Sequence, residues 1–151
     1  RNRYFPNAKV SVLSNATMAV RPEVHAALAK VDNNILKLDT VDAAYIARVD
    51  RPTGDYDVER IIRAMMDFKG HVIVQTLFMK GTSMGMNVDN TSDRYVLPWI
   101  EAVKRIAPQS VMVYTIDRET PDPDLQKASP KELDGIADKL RAEGFEVEVA
   151  Y

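Results

Sequence analysis

Apolar positions along the chain follow two periods, one typical of strands and one typical of helices. Five segments have the pattern of strands: residues 8–15, 35–39, 72–79, 110–116 and 145–149. Five others have helical spacing or helix-forming composition: residues 22–31, 43–49, 57–68, a segment ending near 106, and 131–143. Strands that alternate with helices predict a parallel sheet in a single α/β domain spanning residues 1–151.

Two long connections interrupt this alternation. The first, 80–92, contains Met84 and Met86 beyond the end of a strand, and two interpretations stay open for it: a lid or a floppy surface loop. The second, 119–130, is rich in proline and has the composition of turns. Neither connection predicts a domain boundary.

Polar residues collect on one face of the predicted strands, because side chains alternate with a period of two. The face expected to meet the helices is apolar: Val10, Val12, Leu36, Leu38, Val72, Val74, Val111 and Val113. The other face is largely polar: Ser11, Asn15, Lys37, Asp39, Gln75 and Tyr114. A flat sheet between two helical layers would tolerate this second set poorly, so the pattern favours a curved, barrel-like sheet with an open face.

Lys37 and Asp39 are the most informative of these residues. They lie two positions apart on one strand and therefore share a face. In barrel-like folds, sites gather at the carboxyl ends of strands, where Asn15, Asp39 and Asp117 are expected. One interpretation is therefore a binding site, and the other is a partly buried ion pair with a structural role.

Composition and charge exclude several classes of function. The hydrophobic fraction of 46%, the charged fraction of 28% and the net charge of −2 are those of a soluble globular domain, without a basic field for nucleic acid or an anionic membrane. Cysteine is absent, so the chain has no disulfide, thiolate zinc site or cysteine-held iron-sulfur cluster. His25 and His71 are expected at the surface or as capping residues. A cytoplasmic location is the default, and the start at Arg1 predicts a piece of a longer protein.

Four motifs follow the predicted strands in order. They are Val-Ser-Val-Leu-Ser-Asn-Ala-Thr at 10–17, Leu-Lys-Leu-Asp-Thr at 36–40 with Arg51-Pro52 downstream, Gln-Thr-Leu-Phe-Met-Lys-Gly at 75–81, and Val-Tyr-Thr-Ile-Asp-Arg-Glu-Thr-Pro at 113–121. Together they resemble the second half of radical S-adenosylmethionine (SAM) enzymes, in the group of iron-sulfur oxidoreductases near the activating enzymes and the molybdenum-cofactor and tRNA-modifying branches. The resemblance covers essentially the whole chain, from the family's third strand onward. It implies about half to two thirds of a partial TIM-type barrel.

The resemblance implies SAM-binding roles for five residues. Ser14 and Asn15 match the Thr-Asn pair that helps hold the amino acid part or the ribose of SAM. Lys37 and Asp39 match polar positions that bind the ribose hydroxyls or the methionine carboxylate, and Gln75 matches a lumen position. Relatives often have Ser where Lys37 stands, which suggests a cation near the carboxylate here.

The resemblance also makes Tyr114, Asp117 and Arg118 candidate substrate-binding residues. In such enzymes SAM and a 4Fe-4S cluster carry the radical chemistry, and the protein supplies orientation and excludes side reactions. No metal-binding or catalytic residue is expected in this chain.

Two departures from the family limit what this chain can do. The CxxxCxxC cluster motif and the glycine-rich Gly-Glu-Pro type motif are both absent. We therefore expect the C-terminal part of a partial barrel whose parent protein is an enzyme, but which alone is inactive and binds neither cofactor. Its expected partners are the missing N-terminal half of the barrel and, through the unpaired edge of the first strand, a second copy of the chain. Leu13, Leu77, Met79 and Met112 are expected to be exposed on the opened lumen.

Two other classes of protein remain open from the residues. A self-sufficient barrel lyase or aldolase would use Lys37 as a Schiff-base lysine, although the neighbouring Asp39 should raise the lysine pKa and oppose that chemistry. A noncatalytic flavodoxin-like binding module would need an acidic cluster across the first two strand ends, where Ser14 and Asn15 stand instead.

Overall fold

The structure of the protein, a computed structural model, describes residues 3–120 and 122–151. Pro121, the last residue of the fourth sequence motif, lies outside the described residues. The described part contains these elements: β1 (Ser11–Ser14), α1 (Pro22–Leu28), β2 (Asn33–Lys37), α2 (Ala43–Val49), α3 (Val58–Met66), β3 (Ile73–Leu77), β4 (Met79–Ser83), β5 (Met86–Asn87), α4 (Asp93–Ile106), β6 (Ser110–Tyr114), β7 (Leu125–Lys127), α5 (Pro130–Ala142) and β8 (Val147–Ala150). Within it, no helix is long and apolar enough to cross a lipid bilayer.

The main sheet consists of β1, β2, β3, β6 and β8 in that spatial order, and every neighbouring pair is parallel. The predicted parallel α/β fold is confirmed. The order of strands in space is also their order along the chain. A flavodoxin-like sheet places its first strand inside, in the order 2-1-3-4-5, whereas β1 lies at an edge here. The flavodoxin-like alternative is therefore wrong.

One face of the main sheet packs against the helices. Residues from α1, α3, α4 and α5 form a single core with the apolar face that the alternation predicts: Leu36, Leu38, Val72, Val74, Val111 and Val113 are all buried. Burial of each such side chain stabilises the fold by about 1.5–3 kcal/mol. A register slip of one residue would turn this face outward and carry Lys37 into the core, so the core fixes the register of the strands.

The exceptions to the predicted faces lie at the margins. Val10 precedes β1 and is 40% exposed, because it lies beyond the cover of the helices, whereas Val12 packs partly against the core. Leu13 on the opposite face is 62% exposed, as expected. The expectation was wrong for Met79, which is only 8% exposed because it packs with Tyr45 and Val88.

A small antiparallel sheet lies beyond the main sheet. It has the order β5-β4-β7, so 80–92 contains most of a hairpin and 119–130 contains a strand, neither of which the sequence predicts. Gly81 allows the close pairing of β4 with β7. It has a φ of +94°, and a Cβ at this position would lie 2.1 Å from the carbonyl oxygen of Asp124. Lys80 Nζ also contacts Glu132 Oε1 at 2.7 Å, which ties β4 to the start of α5.

Candidate functional site

Three polar side chains, those of Lys37, Asp39 and Gln75, lie on the face of the main sheet that the helices leave open. We call them the polar row. Lys37 on β2 is in register with Gln75 on β3, which in turn is in register with Met112 on β6. Asp39 follows β2 by two residues, so its side chain lies on the same face as that of Lys37. The side chains of Lys37 and Asp39 are 30% and 12% exposed, and neither belongs to the helix-covered core.

Asp39 uses both carboxylate oxygens. Its Oδ2 lies 2.6 Å from Lys37 Nζ, and its Oδ1 accepts a hydrogen bond from the backbone N–H of Leu77 at 2.8 Å. The ammonium group of Lys37 also lies 5.8 Å from the centre of the Tyr114 ring. The ion pair that one interpretation predicts is therefore present, and it stands in an open part of the sheet where a ligand has access to both charges.

The strand ends around Asp39 are fixed by buried side chains. The carbonyl of Leu38 accepts hydrogen bonds from Thr76 Oγ1 at 2.8 Å and from Trp99 Nε1 at 2.9 Å. Asn90, which is 1% exposed, accepts from the Met79 N–H at 2.9 Å and donates to the Leu77 carbonyl, also at 2.9 Å. These contacts hold the carboxyl ends of β2 and β3 together, so Asp39 sits on a rigid base.

Beside the ion pair is a cleft of about 260 Å³, which we call the Lys37 cleft. Its lining is Asn15, Thr17, Lys37, Asp39, Asp50, Pro52 and Tyr56. Asn15 Oδ1 accepts hydrogen bonds from the N–H of Thr17 at 3.2 Å and from its hydroxyl at 2.8 Å, leaving the Asn15 amide NH₂ as a donor. Three of the five predicted cofactor residues thus share one cleft.

The other two lie next to the cleft without lining it. Ser14 Oγ accepts a hydrogen bond from the backbone N–H of Ala16 at 3.2 Å and so shapes the turn after β1. Gln75 stands beside Lys37 in the register of the sheet. Their roles in binding a cofactor stay predictions.

The charged side chains that line the cleft are those of Lys37, Asp39 and Asp50, and two of these three are carboxylates. Asp50 lies at the rim of the cleft and is exposed overall. Partial burial of its carboxyl group by the cleft walls, followed by the charge of Asp39, raises its pKa to about 6. Partial burial, followed by the charges of Asp50 and Asp39, raises the pKa of Tyr56 to about 12. The Tyr56 hydroxyl is therefore a neutral donor at physiological pH.

Lys37 remains protonated under the same conditions. Burial by itself lowers the pKa of this ammonium group, but Asp39 and, less strongly, Tyr114 outweigh it, and the net pKa is above its ordinary value. A Schiff-base lysine needs a lowered pKa to be a free amine near neutral pH. The electrostatics of the site thus oppose the lyase or aldolase alternative.

The predicted substrate residues do not all meet at this cleft. Tyr114 lies against Lys37 and borders the polar row. Asp117 and Arg118 are exposed in the connection after β6 and line a separate cavity of about 590 Å³ with Lys127. Their predicted role in substrate binding stays a prediction, but only Tyr114 is next to the proposed cofactor residues.

Four residues that line the cleft were not among the predicted site residues: Thr17, Asp50, Pro52 and Tyr56. Asp50 and Tyr56 come from the connection between α2 and α3, whose Asp-Arg-Pro-Thr-Gly sequence has the composition of a turn. A signal was available for Asp50, because it directly precedes the Arg51-Pro52 pair of the second motif.

The chemistry of the cleft suits SAM in part. SAM offers a carboxylate for Lys37, and an ammonium group and a ribose diol for Asp39 and Asp50. At about 260 Å³ the cleft is below the roughly 300–1,000 Å³ of complete ligand pockets, so it fits one end of SAM rather than all of it. A 4Fe-4S cluster does not fit, because the chain has no cysteine. Likewise, no group of at least three His, Asp or Glu among the described residues could hold a metal ion.

Comparison with curated proteins finds relatives described only as UPF0026 proteins. One, from Helicobacter pylori strain J99, is 26% identical over 119 residues, which cover 76% of this chain and 36% of that protein. Another, from a second Helicobacter pylori strain, is 27% identical over 88 residues, covering 56% of this chain and 28% of that protein. The chain therefore matches about a third of the length of these relatives. No family model matches it.

Comparison with solved structures finds the same fold in a radical SAM methyltransferase and in two further proteins. A radical SAM methyltransferase from Sphaerobacter thermophilus matches 92% of this chain and 39% of its own, with a TM-score of 0.68 and 16% identity. A domain of a pyruvate-formate lyase-activating enzyme from Bacteroides vulgatus matches with a TM-score of 0.66 and 12% identity over 92% of this chain and 79% of its own. Streptococcus suis SuiB bound to S-adenosylmethionine matches with the same score and identity over 93% of this chain and 32% of its own. The chain thus shares its α/β fold with these three proteins.

Proposed function

We propose that this chain is a SAM-binding part of a radical SAM iron-sulfur oxidoreductase and contributes to the reductive cleavage of SAM in its parent protein. The observation that carries the proposal is the meeting of Asn15, Lys37 and Asp39 in one cleft at the carboxyl ends of parallel strands. Ligands of such sheets bind at that end of the strands. The shared fold with radical SAM enzymes supports the same function.

In this proposal four residues of the cleft bind SAM. Lys37 binds the methionine carboxylate, and its ion pair with Asp39 keeps the ammonium group in place. Asp39 and Asp50 bind the ammonium group or the ribose hydroxyls, and Asn15 adds its NH₂ donor. Bound SAM supplies the radical chemistry, whereas these residues orient it and limit the access of water.

Because the chain alone is expected to bind no cofactor, titration of the parent protein with SAM, followed by NMR of the backbone amides of this chain's residues, tests the proposal. We expect saturable shifts at residues 15, 37 and 39, and a loss of about tenfold in affinity for Lys37→Met, because one charge-assisted contact is removed. Lys30→Met is the matched control, since Lys30 is exposed near the opposite ends of the strands. Equal affinities for the two variants would refute the role of Lys37.

A second experiment tests the expectation that the cluster binds to the parent protein and not to the isolated chain. Anaerobic treatment of the isolated chain with iron and sulfide should leave it colourless, because it has no thiolate ligand. The parent protein, treated in the same way and then reduced with dithionite, should bind a cluster and consume SAM. Stoichiometric iron-sulfur absorbance in the isolated chain would contradict the proposal.

We also propose that the free edge of β1 pairs with a further strand in the parent protein and with a second copy of the chain when isolated. β1 stands at one end of the main sheet, and Leu13 on it is 62% exposed. Unprotected edge strands readily recruit another strand. Light scattering at increasing concentration should detect association that Leu13→Lys weakens, and a monomer at every concentration would refute self-pairing.

A further inference from the structure

A groove of about 600 Å³ continues from the Lys37 cleft. It runs between the connection that follows β1 and the connection between α2 and α3, and it shares Asn15, Thr17, Asp50 and Tyr56 with the cleft. The larger volume is that of a pocket for a small molecule. A ligand in the groove would therefore lie beside a ligand in the cleft.

Three arginines from separate elements line this groove. Arg21 precedes α1, Arg51 follows α2, and Arg60 is in the first turn of α3. Among the described residues none of the three forms a salt bridge. Elsewhere on the surface, basic side chains pair across elements, as Lys80 does with Glu132.

Arg51 is held in place before any ligand binds. Its Nε donates to the carbonyl of Arg48 at 3.0 Å, and its Nη2 donates to the sulfur of Met84 at 3.0 Å. A guanidinium has five N–H donors, so three of them make no hydrogen bond to the described residues. An arginine fixed in this way loses little entropy on binding a planar or tetrahedral oxyanion.

The groove also contains three acidic residues, Asp50, Asp55 and Asp57, so its lining has no formal excess of positive charge. Asp57 is occupied as the N-cap of α3, since its Oδ1 accepts hydrogen bonds from the N–H groups of Glu59 at 2.9 Å and Arg60 at 3.2 Å. Asp50 belongs to the side of the groove shared with the Lys37 cleft. Asp55 lines the arginine side of the groove, and Asp122, outside the lining, interacts electrostatically with Arg51.

We propose that this groove binds the phosphate or carboxylate group of an anionic small-molecule substrate, which it holds next to the Lys37 cleft. Arg51 is the fixed contact, and Arg21 and Arg60 close on the oxyanion from the two sides. Guanidinium groups bind such oxyanions through paired, charge-assisted hydrogen bonds. The assignment of the oxyanion to a substrate rests on the proposed SAM function of the cleft, but the binding of the oxyanion itself does not.

Amide shifts measured by NMR during titration with pyrophosphate and, separately, succinate test the proposal, with sodium chloride at equal ionic strength as the reference. We expect saturable shifts around residues 21, 51 and 60 with one or both anions. Saturation by pyrophosphate alone or by succinate alone supports the site and identifies the group as phosphate or carboxylate. No saturation beyond the chloride reference would overturn it.

Variants separate this groove from the cleft. Arg21→Gln and Arg60→Gln should each weaken anion binding about tenfold, through loss of one charge-assisted contact, and leave SAM binding unchanged. Arg63→Gln, also on α3 but outside the groove, is the matched control. Equal weakening by Arg63→Gln would overturn the proposal. If the anion binds but the parent protein does not bind SAM, the oxyanion site stands and its assignment to a radical SAM substrate falls.

Discussion

Replacing Asp39 by alanine should destabilise the fold as well as the site. The change removes the acceptor of the Leu77 N–H and the partner of Lys37. A hydrogen bond to a charged group contributes about 1.5–3 kcal/mol, and an ion pair with partial exposure adds at most about 1 kcal/mol. We therefore expect a loss of about 2–4 kcal/mol, which is a large part of the roughly 5–15 kcal/mol that stabilises a typical domain.

Asp39→Asn separates the two interactions. The amide oxygen can still accept from the Leu77 N–H, so this variant loses mainly the charge and should cost about 1 kcal/mol. Asp67→Asn is the control for loss of a negative charge, because Asp67 is exposed at the end of α3 and its side chain makes no hydrogen bond among the described residues. That change should be within about 0.5 kcal/mol of the wild type.

Urea unfolding provides the measurement. Trp99 is the single tryptophan of the chain and is 1% exposed, so its fluorescence reports unfolding of the core next to Asp39. The midpoint should fall in the order wild type, Asp39→Asn, Asp39→Ala at a constant denaturant slope. If Asp39→Ala were as stable as Asp39→Asn, the carboxylate would not be the group that holds the Leu77 N–H.

Three further predictions concern titration and backbone shape. The pKa of Asp50 is raised to about 6, so the free energy of unfolding should fall as pH rises from about 4 to 6. In urea unfolding, Asp50→Asn should therefore be more stable than wild type at about pH 7.5 and equal to it below about pH 4. The contact with Lys80 lowers the pKa of Glu132 to about 2, so the stability it supplies should be lost as pH falls from about 4.5 to 2, and Glu132→Gln should lack this loss in thermal melts. Gly81→Ala should cost well over 1 kcal/mol in urea unfolding, because its Cβ would strike the Asp124 carbonyl, whereas Gly85→Ala, which has open space, should cost about 1 kcal/mol.

The sequence predicted the main sheet because burial there follows a simple period. Leu36 and Leu38 alternate with Lys37 and Asp39, and only one of the two faces can meet the helices. The same reasoning placed Lys37 and Asp39 together on the open face. The small sheet escaped prediction because its strands are short and polar, and because β4 pairs with β7 across more than forty residues of chain, a contact that no local pattern encodes.

The site was predictable only where it is built on strands. Asn15, Lys37 and Asp39 follow strand ends, so their meeting can be inferred from the geometry of a parallel sheet. Asp50 and Tyr56 reach the cleft from an irregular connection, whose path depends on how α2 and α3 pack. Turn-like composition indicates that a connection exists but does not indicate where its side chains point.

The agreement between chain order and spatial order in the main sheet affects how the molecule can assemble during synthesis. Each newly synthesised strand of the main sheet can pair with the strand that precedes it in the sheet. The sheet can therefore form one strand at a time, before distant segments are synthesised. The small sheet cannot follow this course, because Met79 to Gly81 must wait for residues 125–127. The nascent chain can therefore build the polar row of β2 and β3 before the connection beyond it takes its final shape.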